Sequence, residues 1–146
     1  MDKALASLGS APVGDAVLRR LDRRPTILVI DSDLRRRGEL SWMIAGRGFA
    51  VTTARGGEEA LVRIAKGGVA LAVSSVEMPG MDGLELLRIM GERRPAIPLI
   101  AIATGDRAID QVYLRSAELL GAVRSFTWPL LESAFMDSIG SLLQFA

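Results

Sequence analysis

The sequence predicts an α/β fold in which a five-stranded parallel sheet is covered by helices on both faces. Five short apolar segments alternate along the chain with five segments of helical periodicity. Parallel strands need a right-handed helical crossover between them, which this alternation supplies. The third apolar segment, residues 71–75, carries no charge, as expected of a strand covered on both faces. We therefore predict a doubly wound sheet with the strand order 2-1-3-4-5.

Each predicted strand ends at residues that break an extended chain. The first is β-branched and stops at Asp31-Ser32-Asp33. The third is followed by Pro79-Gly80 and Asp82-Gly83, which supply the backbone angles of sharp turns. The predicted strands are residues 26–30, 49–54, 71–75, 98–103 and 121–127.

The predicted helices carry apolar residues at helical spacing between recognisable starts and ends. Asp33 is a suitable N-cap for the first helix, and the second opens at Gly56 and stops before Gly67. The helical segments are residues 34–47, 56–66, 84–93, 109–120 and 130–143.

The composition describes a globular protein without cysteine or histidine chemistry. The 146 residues are 49% hydrophobic and 24% charged, which suits one domain with a substantial core. A net charge of +1 gives no global field that would attract nucleic acid or an anionic membrane. The lack of Cys and His excludes disulfides, thiol catalysis and the usual structural zinc sites. No apolar run approaches the ~20 residues of a membrane span, so we expect a cytoplasmic protein.

Residues 1–24 are predicted to form an N-terminal extension, and residues 25–146 the folded domain. Asp15 is a suitable N-cap for a short helix within the extension, and Pro25 ends it. One face of this helix would carry Val17, Leu18 and Leu21. Aspartates in the extension offset the charge of its arginines, and no aromatic residue lies between them. We therefore do not expect nucleic acid as a partner.

Polar and aromatic residues stand where the predicted strands end. The carboxyl ends of parallel strands meet at one edge of a doubly wound sheet, and ligands bind there, where the strand order reverses. Four strand ends meet by this rule, and they contribute Asp31, Ser32, Asp33, residues 75–77 from Ser75 to Glu77, Ala103, Thr104, Trp128 and Pro129.

The loop Met78-Pro-Gly-Met-Asp-Gly83 resembles the one after the third strand in response-regulator receiver domains, which have a flavodoxin-like fold. Leu28-Val-Ile-Asp31 and Trp128-Pro129 fall in the order expected of that family, and the resemblance covers about residues 24–146. It implies a protein of two-component (phosphorelay) signal transduction, in which an aspartate takes up a phosphoryl group beside Mg²⁺.

The resemblance also implies which residues stand at the acidic and acceptor positions. The acceptor aspartate corresponds to Ser75, four residues before Pro79. The paired acidic residues after the first strand correspond to Asp31, which is retained, and to Ser32, which is not. A main-chain carbonyl for the metal would come from Glu77.

The other implied positions depart from the family pattern too. The hydroxyl residue after the fourth strand corresponds to Ala103, or to Thr104 after a shift of one residue. The lysine that balances the phosphate corresponds to Trp128. The aromatic residue that swings in response to phosphorylation corresponds to Ser125, with Phe126 beside it on the opposite face.

These departures predict a degenerate pseudo-receiver, a protein that is not an enzyme and acts by protein–protein binding. Serine is a poor nucleophile without an adjacent base, so Ser75 is not expected to take up phosphate. Asp31 is the candidate that remains for a metal ligand, and we expect neither a bound metal nor another cofactor. The alternative is a phosphorylatable response regulator with an irregular acceptor, either Glu77 or Asp31. A flavodoxin-like nucleotide binder is disfavoured because carboxylates follow the first strand.

The last helix predicts a partner surface. Its apolar residues spread over roughly two-thirds of the helical wheel, more than the ~100° that one core face needs. We assign this surface to Trp128, Phe135, Met136 and Leu143. Receivers commonly pair through helix 4, strand 5 and helix 5, so the resemblance implies a homodimer there, or a histidine kinase or another regulator as partner. The alternative is that the N-terminal extension folds back and covers the surplus apolar surface.

Overall fold

A computed structural model of the chain describes residues 24–93, 96–105 and 108–144, which contain a five-stranded parallel sheet. The strand order is β2-β1-β3-β4-β5, so the predicted fold class is confirmed. The short helix predicted within residues 15–25 lies outside the described residues except for its last two positions. The strands are β1 (Thr26–Ile30), β2 (Ala50–Ala54), β3 (Val69–Ser75), β4 (Leu99–Ala103) and β5 (Arg124–Thr127).

Helices cover both faces of the sheet. They are α1 (Leu34–Ala45), α2 (Gly57–Ala65), α3 (Gly83–Gly91), α4 (Ala108–Leu119) and α5 (Glu132–Leu143). Helices α1 and α5 share one face, where Ile44 and Phe135 belong to the same core cluster. Helices α2, α3 and α4 share the other face, where Ala60, Leu86 and Leu114 form a second cluster. Of the helices described, none is long and apolar enough to cross a membrane.

The central strand β1 is buried from both sides. Ile27 and Val29 belong to the cluster under α1 and α5, whereas Leu28 and Ile30 belong to the cluster on the opposite face. All four side chains are completely buried. Successive side chains of a strand point to opposite faces, so an uncharged run is needed where both faces are covered.

Three elements begin two or more residues away from their predicted starts. Strand β3 begins at Val69, two residues early, because Val69 pairs with Thr26 of β1. Strand β5 begins at Arg124 rather than 121, because Gly121 has a φ of 113° and turns the chain before the strand. Helix α5 begins at Glu132 rather than 130.

The loop between β3 and α3 is held against the end of the strand. The Gly83 amide donates to the Val76 carbonyl at 2.9 Å. A Cβ atom at Gly83 would lie 2.5 Å from the Ser75 carbonyl oxygen, so a larger residue would force the backbone to move. From the α2 side, the Gly57 amide donates to the Met81 carbonyl at 3.2 Å. Glycines at both positions let the loop pack tightly.

Three residues of the predicted partner surface are part of the core. Phe135, Met136 and Leu143 are exposed by only 0%, 3% and 8%, because the sheet and α1 cover them. The prediction that they contact a partner is therefore wrong. The apolar residues that α5 and the residue before it leave at the surface are Leu131, which is 71% exposed, and Ala134.

Candidate functional site

The strand ends that the sequence singles out meet at the carboxyl edge of the sheet. Asp31 follows β1, Ser75 ends β3, Ala103 ends β4 and Trp128 follows β5. Backbone hydrogen bonds extend the ladder past these ends. The Asp31 amide donates to the Ala54 carbonyl at 3.1 Å, and the Trp128 amide donates to the Ala103 carbonyl at 3.0 Å. The predicted positions therefore lie side by side.

The Asp31 carboxylate is buried and bound by a cation of its own chain. Its side chain is 1% exposed, and that of Arg36 is 28% exposed. Arg36 Nε donates to Asp31 Oδ2 at 3.0 Å, and Arg36 Nη2 donates to Asp31 Oδ1 at 3.1 Å. The Asp33 amide also donates to Oδ1, at 2.9 Å. Such a bidentate pair is stronger and more directional than a single contact, and it engages both carboxylate oxygens.

The start of α1 places Arg36 against Asp31. Asp33 is the N-cap of this helix, and its Oδ1 accepts from the Arg36 amide at 2.9 Å. This hydrogen bond is the main reason that the pKa of Asp33 is lowered. The hydrogen bond to Asp31 is the main reason that the pKa of Arg36 is raised. In addition, Arg37 Nη1 donates to the Asp31 carbonyl at 2.8 Å. Two of three consecutive arginines thus turn toward the strand end.

Ser75 has its hydroxyl group directed at the backbone. Its Oγ donates to the Glu77 carbonyl oxygen at 3.2 Å, and the residue is 1% exposed. The neighbouring Ser74 Oγ donates to the Ser75 carbonyl at 2.9 Å. A serine becomes a useful nucleophile when a base accepts its proton, and a backbone carbonyl is not such a base. The acceptor position is therefore filled by a hydroxyl group without activation.

The residues at this edge do not fit the Mg²⁺ site that the receiver resemblance implies. Magnesium takes oxygen ligands in octahedral geometry, usually with carboxylates among them. Ser32 and Ser75 offer no carboxylate, and Asp31 is already bound by Arg36. The Glu77 carbonyl accepts from Ser75. Within residues 24–93, 96–105 and 108–144, no three acidic side chains cluster to hold a metal ion.

An open cleft of about 450 Å³ lies beside the Asp31–Arg36 pair. Arg36, Thr104 and Trp128 contribute to its lining, and Ser32, Ser75 and Ala103 are not among the lining residues. The family's lysine is a tryptophan here, and the two arginines that line the cleft are paired within the chain, Arg35 with Glu39 and Arg36 with Asp31. Its walls carry both signs of charge, so they give no preference for an anion.

Trp128 serves partly as core. Its ring packs against the cluster under α1 and α5. Its Nε1 atom is buried without a hydrogen-bond partner among the described residues. Trp128 therefore both packs against the core and lines the cleft.

The remaining implied positions carry other side chains than the family pattern. Ser32 is exposed, and Ala103 is 2% exposed inside the sheet. Ser125 pairs with Ala101 and is half-buried on the side of α4. Phe126 points to the opposite side, where its ring meets Phe135 edge to face at a centroid distance of 5.4 Å. The aromatic ring of β5 is therefore part of the core.

Comparison with known proteins decides the family. A family model described as the response regulator receiver domain matches residues 27–130, from β1 past the end of β5. The chain belongs to the response regulator receiver family. The resemblance drawn from the loop after β3 is thereby confirmed, together with the two-component signalling context of such receivers.

The receiver domain is also similar to segments of longer regulators. The DNA-binding transcriptional regulator NtrC of Salmonella typhimurium is 37% identical over 88 residues, which cover 60% of this chain and 19% of NtrC. The transcriptional regulatory protein FixJ of Bradyrhizobium diazoefficiens is 33% identical over 111 residues, which cover 76% of this chain and 50% of FixJ. The chain thus spans about a fifth of the length of NtrC and half that of FixJ.

Solved structures show the same receiver fold. A putative response regulator from Chloroflexus aurantiacus superposes with a TM-score of 0.76 at 22% identity, covering 83% of this chain and 98% of that one. The receiver domain of NtrX from Brucella abortus gives a TM-score of 0.74 at 24% identity, covering 82% of this chain and 99% of that one.

Sequence reasoning missed one important residue of this receiver. Arg36 stands between Arg35 and Arg37 at the start of α1, where three adjacent cations suggest a solvated surface, yet it binds the buried Asp31. The signal that could have found it is local: Asp33 caps the helix, so the third residue after the cap lies in the first turn, beside the strand end.

Proposed function

We propose that this receiver domain acts without phosphorylation, by binding another protein of a two-component pathway. The observation that carries the proposal is the bidentate pair between Arg36 and the buried Asp31. A guanidinium group of the chain neutralises the one carboxylate retained from the family's metal site. The charge that Mg²⁺ would balance is therefore already balanced.

The other site residues support the same proposal. Ser75 lacks an adjacent base, and a serine phosphate would be a stable ester where the family forms a labile acyl phosphate. Trp128 stands in place of the lysine and gives the cleft an apolar wall. We accordingly propose no catalytic activity and no cofactor, and we place this function in the cytoplasm.

Exposure to acetyl phosphate and Mg²⁺, followed by intact-mass measurement, tests the proposal. We expect an unchanged mass, while a receiver that retains its aspartate, lysine and paired acids gains one phosphoryl group under the same conditions. The second candidate, an irregular acceptor at Glu77 or Asp31, predicts a gain of one acid-labile phosphoryl group that Glu77→Gln or Asp31→Asn removes. Such a gain would overturn phosphorylation-independent action.

For the partner, we propose a histidine kinase or another regulator, and self-association through α4, β5 and α5. Helix α4 presents an apolar stripe at helical spacing, in which Ile109, Val112 and Leu119 are 43%, 57% and 76% exposed. It lies next to β5, an edge strand of the sheet. A contiguous apolar patch on a surface typically marks a protein contact. The DNA binding named for NtrC belongs to that protein and is not part of this proposal.

Sedimentation over a range of protein concentrations tests self-association. We expect a concentration-dependent rise in mass that Val112→Asp abolishes. Val62→Asp is a matched control, because Val62 on α2 is also 57% exposed but lies on another helix. A monomer at every concentration, or equal effects of the two substitutions, would contradict this interface.

A further inference from the structure

A groove between α1 and α5 is open along the outer surface of one face of the sheet. We call it the α1–α5 groove and define it by two cavities. The first has a volume of about 430 Å³ and is lined by residues that include Gly38, Trp42 and Glu132. The second has a volume of about 540 Å³ and is lined by residues that include Asp137 and Gly140. Glu132 is the first residue of α5, whereas Asp137 and Gly140 lie in its second half, so the two cavities border different stretches of the same helix.

Glycines line the groove at positions where a helix would otherwise favour another residue. Gly38 lies within α1 and Gly140 within α5, and glycine disfavours a helix interior. A Cβ atom at either position would meet no atom within 4 Å. These glycines are therefore not required by packing inside the described residues. Their lack of side chains leaves room for a second backbone to approach both helices closely.

An apolar side chain marks the same groove. Trp42 is 84% exposed, and Leu131, next to Glu132, is 71% exposed. Burial of a large aromatic side chain gives more favourable free energy than burial of a smaller one. A tryptophan that is this exposed is therefore typical of a contact surface. The groove thus offers an apolar wall and two glycine gaps.

We propose that residues 15–23 of the same chain bind in the α1–α5 groove. These residues lie outside the described part and enter here by sequence alone. If these residues form a helix, Val17, Leu18 and Leu21 lie on one face of it. In the groove, that apolar face would cover Trp42. An amphipathic helix in an apolar groove is a recurrent mode of recognition.

Charge favours this occupant. Residues 15–23 contain arginines at 19, 20 and 23 against aspartates at 15 and 22. Of the acidic residues that line the groove, Glu39 is paired with Arg35 at 3.1 Å, which leaves Glu132 and Asp137 on α5 as the acidic charge facing one lining arginine, Arg47. A basic segment in an acidic groove lowers the electrostatic energy and fixes the orientation of the contact.

Residues 15–23 are joined to the described chain close to the groove. The Pro25 carbonyl accepts from the Ala50 amide at 3.1 Å, which places the start of the described chain beside Phe49. Phe49 lines the second cavity. As a helix, residues 15–23 would be about 13 Å long, comparable to the ~12 Å between Glu132 and Gly140 along α5. The segment therefore begins at one end of the groove and is long enough to fill it.

A spin label tests the contact in the full chain. The protein contains no cysteine, so Ala16→Cys provides a single attachment site for a nitroxide. We expect the amide signals of Gly38 and Gly140 to disappear by paramagnetic broadening. The amide of Gly91, at the end of α3 on the opposite face of the sheet, should keep its intensity. Broadening that is absent, or equal at all three glycines, would overturn the proposal.

Two variants and one mixed sample complete the test. Leu21→Asp in the spin-labelled chain should restore the Gly38 and Gly140 signals, whereas Leu119→Asp on the exposed face of α4 should not. If both variants restored them, the groove would not be the specific site. In a mixed sample, one chain carries the nitroxide but no ¹⁵N, and the other carries ¹⁵N but no nitroxide. All amide signals of the ¹⁵N chain should then remain intact. Broadening in that mixture would instead identify a second copy as the occupant and overturn binding within one chain.

Discussion

The strand-end site and the α1–α5 groove differ in what they leave available to another molecule. At the strand ends, the Asp31 carboxylate is 1% exposed and accepts hydrogen bonds from Arg36 and from the Asp33 amide. In the groove, Gly38 faces open space and Trp42 is 84% exposed. The first region satisfies its charges internally, whereas the second leaves apolar surface without cover among the described residues.

This difference separates two properties that a phosphorylated receiver combines. Reactivity requires a carboxylate and a cation that a ligand can reach, and here both belong to one internal pair. Recognition requires a surface with shape and charge, and here the helices retain one. We propose that this receiver has lost the first property and kept the second.

Breaking the internal pair should have the largest effect. Arg36→Met is expected to lower the free energy of unfolding by about 3 kcal/mol, because it leaves a buried carboxylate without its cation. Arg35→Met is the control: its partner Glu39 is exposed, and the expected loss is below about 1 kcal/mol. Urea denaturation at pH 7 measures both.

The double variant Asp31→Asn/Arg36→Met sharpens this test. Removing the buried charge together with its partner should recover part of the lost stability. Equal losses for Arg36→Met and Arg35→Met would show that the strand-end site is not closed by the pair.

A methyl group at Gly83 should have the next largest effect. Gly83→Ala is expected to cost about 2 kcal/mol, because the added Cβ would lie 2.5 Å from the Ser75 carbonyl oxygen and 2.9 Å from Val76 Cα. Gly91→Ala, at the other end of α3, meets no atom within 4 Å and should be neutral or slightly stabilising. Thermal unfolding of both variants checks this, and equal shifts would refute tight packing of the loop.

Acid should weaken the start of α1 by a smaller amount. The pKa of Asp33 is lowered from its ordinary value of 3.8, chiefly by the hydrogen bond from the Arg36 amide. The stabilisation is therefore complete above pH 3.8 and is lost as the pH falls through the lower pKa of the folded state. Asp33→Asn keeps a cap that does not titrate, so its stability relative to the wild type should rise as the pH falls below 3.8. A constant difference between the two, measured by urea denaturation, would contradict this role of Asp33.

Restoring the acceptor alone should have no effect on reactivity. Ser75→Asp is expected to remain unlabelled by acetyl phosphate and Mg²⁺, because Arg36 still binds Asp31 and Trp128 still replaces the lysine. Intact mass spectrometry checks it. Efficient labelling of this single variant would mean that the internal pair does not close the site. A circular dichroism spectrum like that of the wild type confirms that the variant is folded.

The sequence was sufficient for the fold and for the location of the strand ends. Uncharged strands such as β3 and turn residues such as Pro79-Gly80 are local signals, and strand order follows from helical crossovers. The contact between Arg36 and Asp31 was not predicted, because the sequence gives spacing but not the direction in which three adjacent arginines turn. That direction depends on the Asp33 cap and on burial of the strand end.

The partner surface shows a second limit of the sequence. The apolar residues of α5 cover most of its wheel, and a wheel cannot say which part faces the sheet. Burial of Phe135, Met136 and Leu143 depends on where α1 lies, which is a long-range property of the fold.

The loop after β3 has a consequence for how relatives of this protein are sorted. Gly83 and Gly57 are glycines because Ser75, Val76 and Met81 leave no space for a Cβ atom. That steric requirement is the same whether the residue before the loop accepts a phosphoryl group or not. A search that identifies receivers by this glycine-containing loop therefore also matches a chain without an aspartate four residues before the proline, as Ser75 shows here. The loop thus identifies the fold, and the acceptor has to be read separately, from the residue four positions before the proline.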